Sequence, residues 1–321
     1  MKPRSAFASL ALALAPAFAA AQAFPSKPVT IVVPFPAGGV VDILARSVAD
    51  RMAAGLGQPV IVDAKPGADS IIGTEFVLKA PADGHTLLMA SPNIVTHEFM
   101  SPQPRWTYAK DVQGLAYVAD VPNVAVIPAT LGPGTLREFV ELAKKSPGKL
   151  NYASPGNGTS NHLGTELFQQ VTGIDMVKVA YKGQPPAIPD LINGGVQFKL
   201  LTMSLAVPHV TSGKLKALAV AATKRTKALP DVPTFAEAGY PDVKVVPFFG
   251  LVARKSVPKD VVARLSDEVR KALAQADVVG RIEKANGEAA APASAEEFDR
   301  FLLAESQRFG PLIRSRGIKS E

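Results

Sequence analysis

The chain has 321 residues, with 35 Lys and Arg against 28 Asp and Glu for a formal net charge of +7, 47% hydrophobic residues and no cysteine. Disulfides, thiolate nucleophiles, cysteine metal ligands and a lipid-anchored cysteine are therefore excluded. The modest basic excess comes without a basic block or an interleaved aromatic platform, so a small anion is an expected partner and nucleic acid is not.

Lys2 and Arg4 precede an apolar stretch over residues 6–20 and the small-residue pattern Ala21-Gln22-Ala23, which is the order of a secretory signal peptide. Cleavage near Ala23 is expected to release a soluble, exported protein whose formal charge falls by the two leader cations, 7 − 2 = +5. Every later apolar run is broken by Pro, Gly or charge well short of the ~20 residues that a spanning helix needs.

Residues 29–33 read as a buried strand, and Val41, Leu44, Ala45, Val48 and Met52 then recur at helical spacing. Strands follow at 60–62 and 86–90. After Pro102 and Pro104 the pattern restarts with a strand at 123–127, a helix opened by the capping box Thr135/Glu138 and running to about Lys145, and a strand at 150–153. A Gly-rich loop leads into a helix over 160–171. Next come a strand at 177–181, a helix at 186–193 and strands at 196–201 and 215–221. A strand at 243–252 precedes three helices, at 259–274, 277–285 and 294–308, the last with the capping box Ser294/Glu297. This alternation predicts an α/β protein of two comparable halves around mainly parallel sheets; eight regular repeats for a (β/α)₈ barrel are not there to count.

Two strand-to-helix corners carry the chemistry. Pro34-Phe35-Pro36-Ala37-Gly38-Gly39 joins two glycines to a helix N-terminus, where free N–H groups and a partial positive charge suit a carboxylate. Asp42, in the first helical turn, either offsets the helix dipole or meets polar groups of a ligand. Ser154-Pro155-Gly156-Asn157-Gly158-Thr159-Ser160-Asn161-His162 is a second corner of the same kind. Asn161 stands where a dinucleotide fingerprint needs its third glycine, so nucleotide binding is not expected. No Gly-x-Ser-x-Gly elbow is present, and the four histidines lack metal-ligand spacing. Lys182 can present a cation from a loop, and Phe248 is either core or a ring facing a ligand.

These residues bring a family into view. Val32-Val33-Pro34-Phe35-Pro36-Ala37-Gly38-Gly39 with Asp42-Ile43-Leu44-Ala45-Arg46 resembles the Bug family of solute receptors for tripartite tricarboxylate transporters. So do Lys65-Pro66-Gly67-Ala68, Asp83-Gly84-His85-Thr86-Leu87, Lys149-Leu150-Asn151-Tyr152-Ala153-Ser154, Gly156-Asn157-Gly158-Thr159, Tyr181-Lys182-Gly183 and Leu229-Pro230-Asp231-Val232-Pro233-Thr234. The likeness runs in order through the chain after the leader. It implies a two-lobe periplasmic binding protein, each lobe a mainly parallel sheet flanked by helices, with two interlobe crossovers. Lobe one is then residues 24–123 plus 228–321, and lobe two residues 124–227.

The resemblance also implies ligand contacts from Phe35, Ala37, Gly38, Gly39 and Asp42 on one lobe and from Ser154, Asn157, Gly158 and Thr159 on the other. Ser91 and Asn93 match a third cleft loop. Two places depart from the family pattern. Lys199-Leu200-Leu201-Thr202 leaves Thr202 at the cleft and puts an apolar Leu201 where a counter-charge for an ammonium group would stand. Phe248-Phe249 would suit an aromatic or apolar-bodied acid. The expectation is a monomeric, non-catalytic receptor without cofactor or metal, taking a mono- or dicarboxylate to membrane permease subunits. The alternatives are a periplasmic hydrolase or lyase acting on a carboxylate ester through a histidine such as His162, and a receptor that feeds a signalling partner.

Overall fold

The computed structural model describes residues 24–243, 245 and 247–320, and the expected leader lies outside the described residues. The chain opens with β1 (Val29–Val33), α1 (Val40–Leu56), β2 (Val60–Ala64), α2 (Ile71–Lys79), β3 (Thr86–Ala90), α3 (Asn93–Met100), α4 (Tyr108–Asp111) and β4 (Val112–Asp120). It continues with β5 (Asn123–Pro128), α5 (Leu136–Lys145), β6 (Leu150–Ser154), α6 (Ser160–Thr172), β7 (Met176–Ala180), α7 (Ala187–Ile192), β8 (Lys199–Thr202), α8 (Met203–Thr211) and β9 (Leu215–Ala221). It closes with β10 (Phe248–Arg254), α9 (Lys259–Leu273), α10 (Ala276–Lys284), β11 (Glu288–Ala289) and α11 (Ala295–Ser315). Among the described residues no helix is long and apolar enough to cross a membrane.

The first sheet has the order β11-β4-β10-β3-β1-β2. Here β2, β1, β3 and β4 run one way, while β10 and β11 run against them. In the second lobe β5 lies antiparallel between β8 and β9, and the parallel pair β6 and β7 joins them through a bridge between Tyr152 and Phe198. The strand running against its neighbours inside each sheet is the one that the other lobe sends across: β10 in the first, β5 in the second. Both crossings meet where the Val121 N–H donates to the Pro247 carbonyl at 3.1 Å. A two-lobe α/β architecture with two crossovers follows from that pairing.

Local chemistry explains the elements. Val41, Leu44, Ala45, Val48 and Met52 form the buried stripe of α1 against Val29, Ile31 and Val33, and the helix stops at Gly57, whose φ of 69° is left-handed. Both predicted capping boxes form, at Thr135/Glu138 and at Ser294/Glu297. The last helix runs past the predicted end at 308 to Ser315, because Phe309, Leu312 and Ile313 extend its apolar stripe into a cluster with Met100 of α3 and Leu163 of α6. That cluster ties the lobes together.

One boundary moves. Residues after 228 do not return to lobe one at once: Val220 bridges Thr234 in parallel, and Phe235 and Val243 pack into the lobe-two core with Phe139 and Phe168. The chain re-enters the first sheet only after Pro247. Burying Phe235 there keeps this stretch on the second lobe, since leaving one Phe exposed forfeits about 2 kcal/mol.

Candidate functional site

At the first corner, Gly38 has a φ of 79°, a conformation that disfavours any side chain, and Gly39 caps α1 with extended backbone. The Asp42 carboxylate reaches back to accept the Gly38 N–H at 3.0 Å and the Arg46 Nε at 2.9 Å. Arg46, and then the Gly38 N–H, hold the Asp42 carboxyl below its ordinary value against the opposing effect of burial. One Asp42 oxygen therefore shapes the loop, while the other is buried without a protein partner. Phe35 packs half-buried on the core of this lobe, and Ala37, Gly38 and Gly39 are exposed at the lip.

A neighbouring loop, absent from the predicted site, completes this side. Gly67, Ala68, Asp69 and Ser70 take φ values of 129°, 46°, 49° and 79°, a run of positive φ in which three residues carry side chains. Strain of this kind persists only where surrounding contacts impose it. Here the Asn93 amide donates to the Asp69 carbonyl at 3.2 Å, and the Ser91 hydroxyl meets Asn93 at 3.4 Å. Of the two predicted residues of the third loop, Asn93 holds residues 67–70 directly and Ser91 meets Asn93. Pro34 of the first corner packs against Gly73 in α2, so the two loops share a base.

The second corner faces this loop. A Cβ placed on Gly156 would lie 2.4 Å from the Asp69 carboxylate, and the Thr96 hydroxyl of α3 donates to the Gly158 carbonyl at 3.2 Å, so the lobes touch here. Thr159 caps α6, accepting the His162 N–H at 3.3 Å and donating to the Gly156 carbonyl at 2.9 Å. Ser154 is buried, its hydroxyl 3.4 Å from the same carbonyl.

Asn157 departs from its expected role. Its amide donates to the Lys319 carbonyl at 2.9 Å and its oxygen accepts Lys178 at 2.9 Å, so both ends bind protein. The side chain anchors the loop to the C-terminal segment instead of offering itself to a ligand. Phe248 departs further: it is fully buried, edge-on to Phe301, in the core with Trp106 and Phe298. A strand apolar on both faces gave no alternation to show which way the ring points. Lys182 is exposed beside the Ser154 loop, where the Gly183 N–H donates to the Pro155 carbonyl at 3.3 Å.

Thr202 does join a polar group, at the end of β8. Its hydroxyl donates to the Asn123 oxygen at 3.3 Å and accepts the Gln184 amide at 2.7 Å, while its N–H donates to Gln184 at 3.0 Å. Asn161 is the hub, donating to Asn123 at 3.0 Å and to the Leu200 carbonyl at 2.8 Å, and Ser160 meets Asn123 at 3.4 Å. Asn123 and Gln184 escaped sequence reasoning, and Ser160 and Asn161 were read only as part of the second corner's motif. The one available signal was Asn161 in a glycine's place, which spoke against a nucleotide and left its positive role unread. The network carries no formal charge.

His162 lies beneath this surface, 2% exposed, and burial pushes its imidazole down to about 4. A neutral ring sealed on the buried face of α6 has no route to a substrate, which removes the histidine that the hydrolase alternative named. Among the described residues no group of three His, Asp or Glu is placed to hold a metal ion.

A two-lobe sheet topology with glycine corners meeting at the cleft is the frame of a solute receptor, and the comparison with family models agrees. The model of the tripartite tricarboxylate transporter family receptor matches residues 44–318. The chain belongs to that family. This receptor resembles the periplasmic binding protein BugD, with 31% identity and a TM-score of 0.81 over 93% of this chain and all of BugD. It is as close to an R. palustris protein solved with adipate, at 30% identity and a TM-score of 0.82 over 92% of this chain and 99% of that one. MatC from Rhodopseudomonas palustris, with bound malate, shares 30% identity and a TM-score of 0.81 over 90% of the receptor and all of MatC. The receptor is therefore a periplasmic solute-binding protein and not an enzyme.

Proposed function

We propose that the receptor closes over a small aliphatic dicarboxylate between its lobes and delivers it, as a monomer, to membrane permease subunits. The observation that carries the reading is the meeting of the two glycine corners around residues 67–70, with the neutral network of Asn123, Asn161, Gln184 and Thr202 behind them. One ligand carboxylate takes the N–H groups that start α1 and α6, where a helix terminus contributes about 0.3–1 kcal/mol to an anion. The second carboxylate, or a hydroxyl, takes hydroxyl and amide groups of the network. That proteins at 30% identity were solved with adipate and with malate supports the dicarboxylate. With Phe248 in the core, nothing favours an aromatic acid, and no cofactor is required. Ligand stabilises the closed form through its better fit to closed than to open lobes.

Calorimetric titration of the mature protein with aliphatic dicarboxylates of three to six carbons, and with benzoate as the aromatic control, tests this. One-to-one binding of a dicarboxylate without product is expected. Binding of benzoate alone, or turnover of any acid, overturns it.

A further inference from the structure

Away from the cleft, one edge of lobe one carries exposed apolar groups beside a concentration of cations. On the edge strand β2, Ile61 is 50% exposed, and on α2 Ile72 and Phe76 are 53% and 46% exposed. Ile61, Asp63 and Lys65 lie on the same face of the edge; Lys65 pairs with Asp63 at 3.0 Å and sits 4.3 Å over the Phe76 ring, which links β2 to α2 across the patch. At its C-terminal end α2 enters a surface cavity of about 460 Å³ lined by Lys79, Arg105, Lys110, Lys255 and Glu75. Arg254 and Asp111 complete the charged wall.

The carboxylates there are already engaged. Glu75 accepts Lys79 at 2.7 Å and Arg105 at 2.6 Å, and Asp111 accepts the Thr107 N–H at 2.8 Å. Arg254 donates to the Ala80 carbonyl at 2.6 Å, and Lys255 stands 3.5 Å from Asp299. Positive charge remains in excess. Exposed aromatic and aliphatic groups side by side, with Arg105 and Arg254 on their flank, have the composition of a protein interface, and the surrounding lysines set the sign of its charge.

We propose that the outer face of α2, with the cationic cavity at its end, is the docking surface for an acidic segment of the transporter's membrane component. The inference rests on the receptor reading above. Charge complementarity selects the occupant. A second copy of this chain would bring cations against cations, and its formal charge after leader removal is 7 − 2 = +5. Location adds a reason for docking at this point: α2 begins where residues 67–70 end, and that loop touches Gly156 across the cleft. A partner seated on α2 thus holds the element that continues into the closing contact.

The test is binding of the mature receptor to nanodiscs containing the transporter's membrane subunits, compared for wild type, Lys79→Glu/Lys110→Glu and Ile61→Ser/Phe76→Ser. Both variants should melt as wild type does and bind at least roughly ten-fold more weakly, and wild-type binding should fall as salt rises. Wild-type affinity in both folded variants overturns the docking surface and leaves the receptor reading intact. No wild-type binding overturns delivery to a permease, and the surface with it. Equal binding to lipid-only nanodiscs assigns the cations to anionic lipid, and a dimer seen by light scattering that the Ser variant abolishes assigns the patch to a second copy; either result overturns the proposal. Should the charge variant fail to fold, the Ser variant decides alone.

Discussion

Arg316, just past the end of the C-terminal helix in lobe one, donates its Nε to Glu166 of lobe two at 2.5 Å. The carboxylate is nearly buried, and it also accepts the Tyr152 hydroxyl and, at 3.2 Å, the Gln169 amide. With Asn157 on the Lys319 carbonyl and Ile318 in the interlobe apolar cluster, the last residues strap α6 to lobe one.

Removing one partner of such a pair leaves a buried charge uncompensated. Arg316→Ala should cost about 2–3 kcal/mol, below the ~3–5 for a fully buried pair because a third of the Arg316 side chain is exposed. Glu166→Gln keeps the shape and most hydrogen bonds, and should cost less. Urea denaturation of both variants checks this, and an Arg316→Ala protein as stable as wild type would exclude the strap.

Gly156 has a φ of 145° and leaves no room for a Cβ beside Asp69. Gly156→Ala should hold the lobes apart and weaken dicarboxylate binding by about ten-fold or more, since apparent affinity scales with the fraction of molecules able to close. Calorimetric titration reads the affinity. Undiminished affinity would show that closure does not use this contact.

The neutral network predicts a charge effect. Asn161→Asp places a carboxylate at the hub between Asn123 and Leu200, and should repel a dicarboxylate and lower its affinity by roughly ten-fold or more at neutral pH. Lowering the pH toward the Asp range should restore part of it. An affinity independent of this substitution would remove the network from the site.

Lys199 is fully buried in β8, with its ammonium donating to the Ala153 carbonyl at 3.3 Å and no carboxylate paired with it among the described residues. Burial pulls its pKa from 10.5 down to about 7. Because the folded value lies below the unfolded one, the unfolded chain binds more protons between the two. Stability should therefore rise as pH goes from about 7 toward 10.5, and the penalty is fully present below 7. Lys199→Met should remove that rise and stabilise the protein at neutral pH by about 3–5 kcal/mol. Thermal melts across pH 6 to 10 check the slope; parallel curves for variant and wild type would contradict it.

Much of the fold and the local form of the two glycine corners were readable before the structure. The helical spacing in α1, the capping boxes and the glycine corners were visible, because each depends on residues within a few positions of one another. Gly38 and Thr159 take the turn and helix-cap positions that their local motifs imply, while Thr202 joins partners that no local pattern shows. Strand β4 and helices α2 and α3 were missed; β4 is apolar on both faces, so no alternation marks it.

What the sequence determined by itself is the set of local elements, the two glycine corners that open α1 and α6 and, through its motifs, the family. Only the tertiary structure decided that Phe248 faces the core, that Asn157 binds the C-terminal segment and that Asn161 centres a network with Asn123 and Gln184. It also decided that the return crossing comes at Pro247 and not near 228. Those outcomes depend on partners tens to more than a hundred residues away. A side chain's local pattern states its helix or strand, but its partner is chosen by how the sheets and lobes pack, and spacing along the chain carries no record of that.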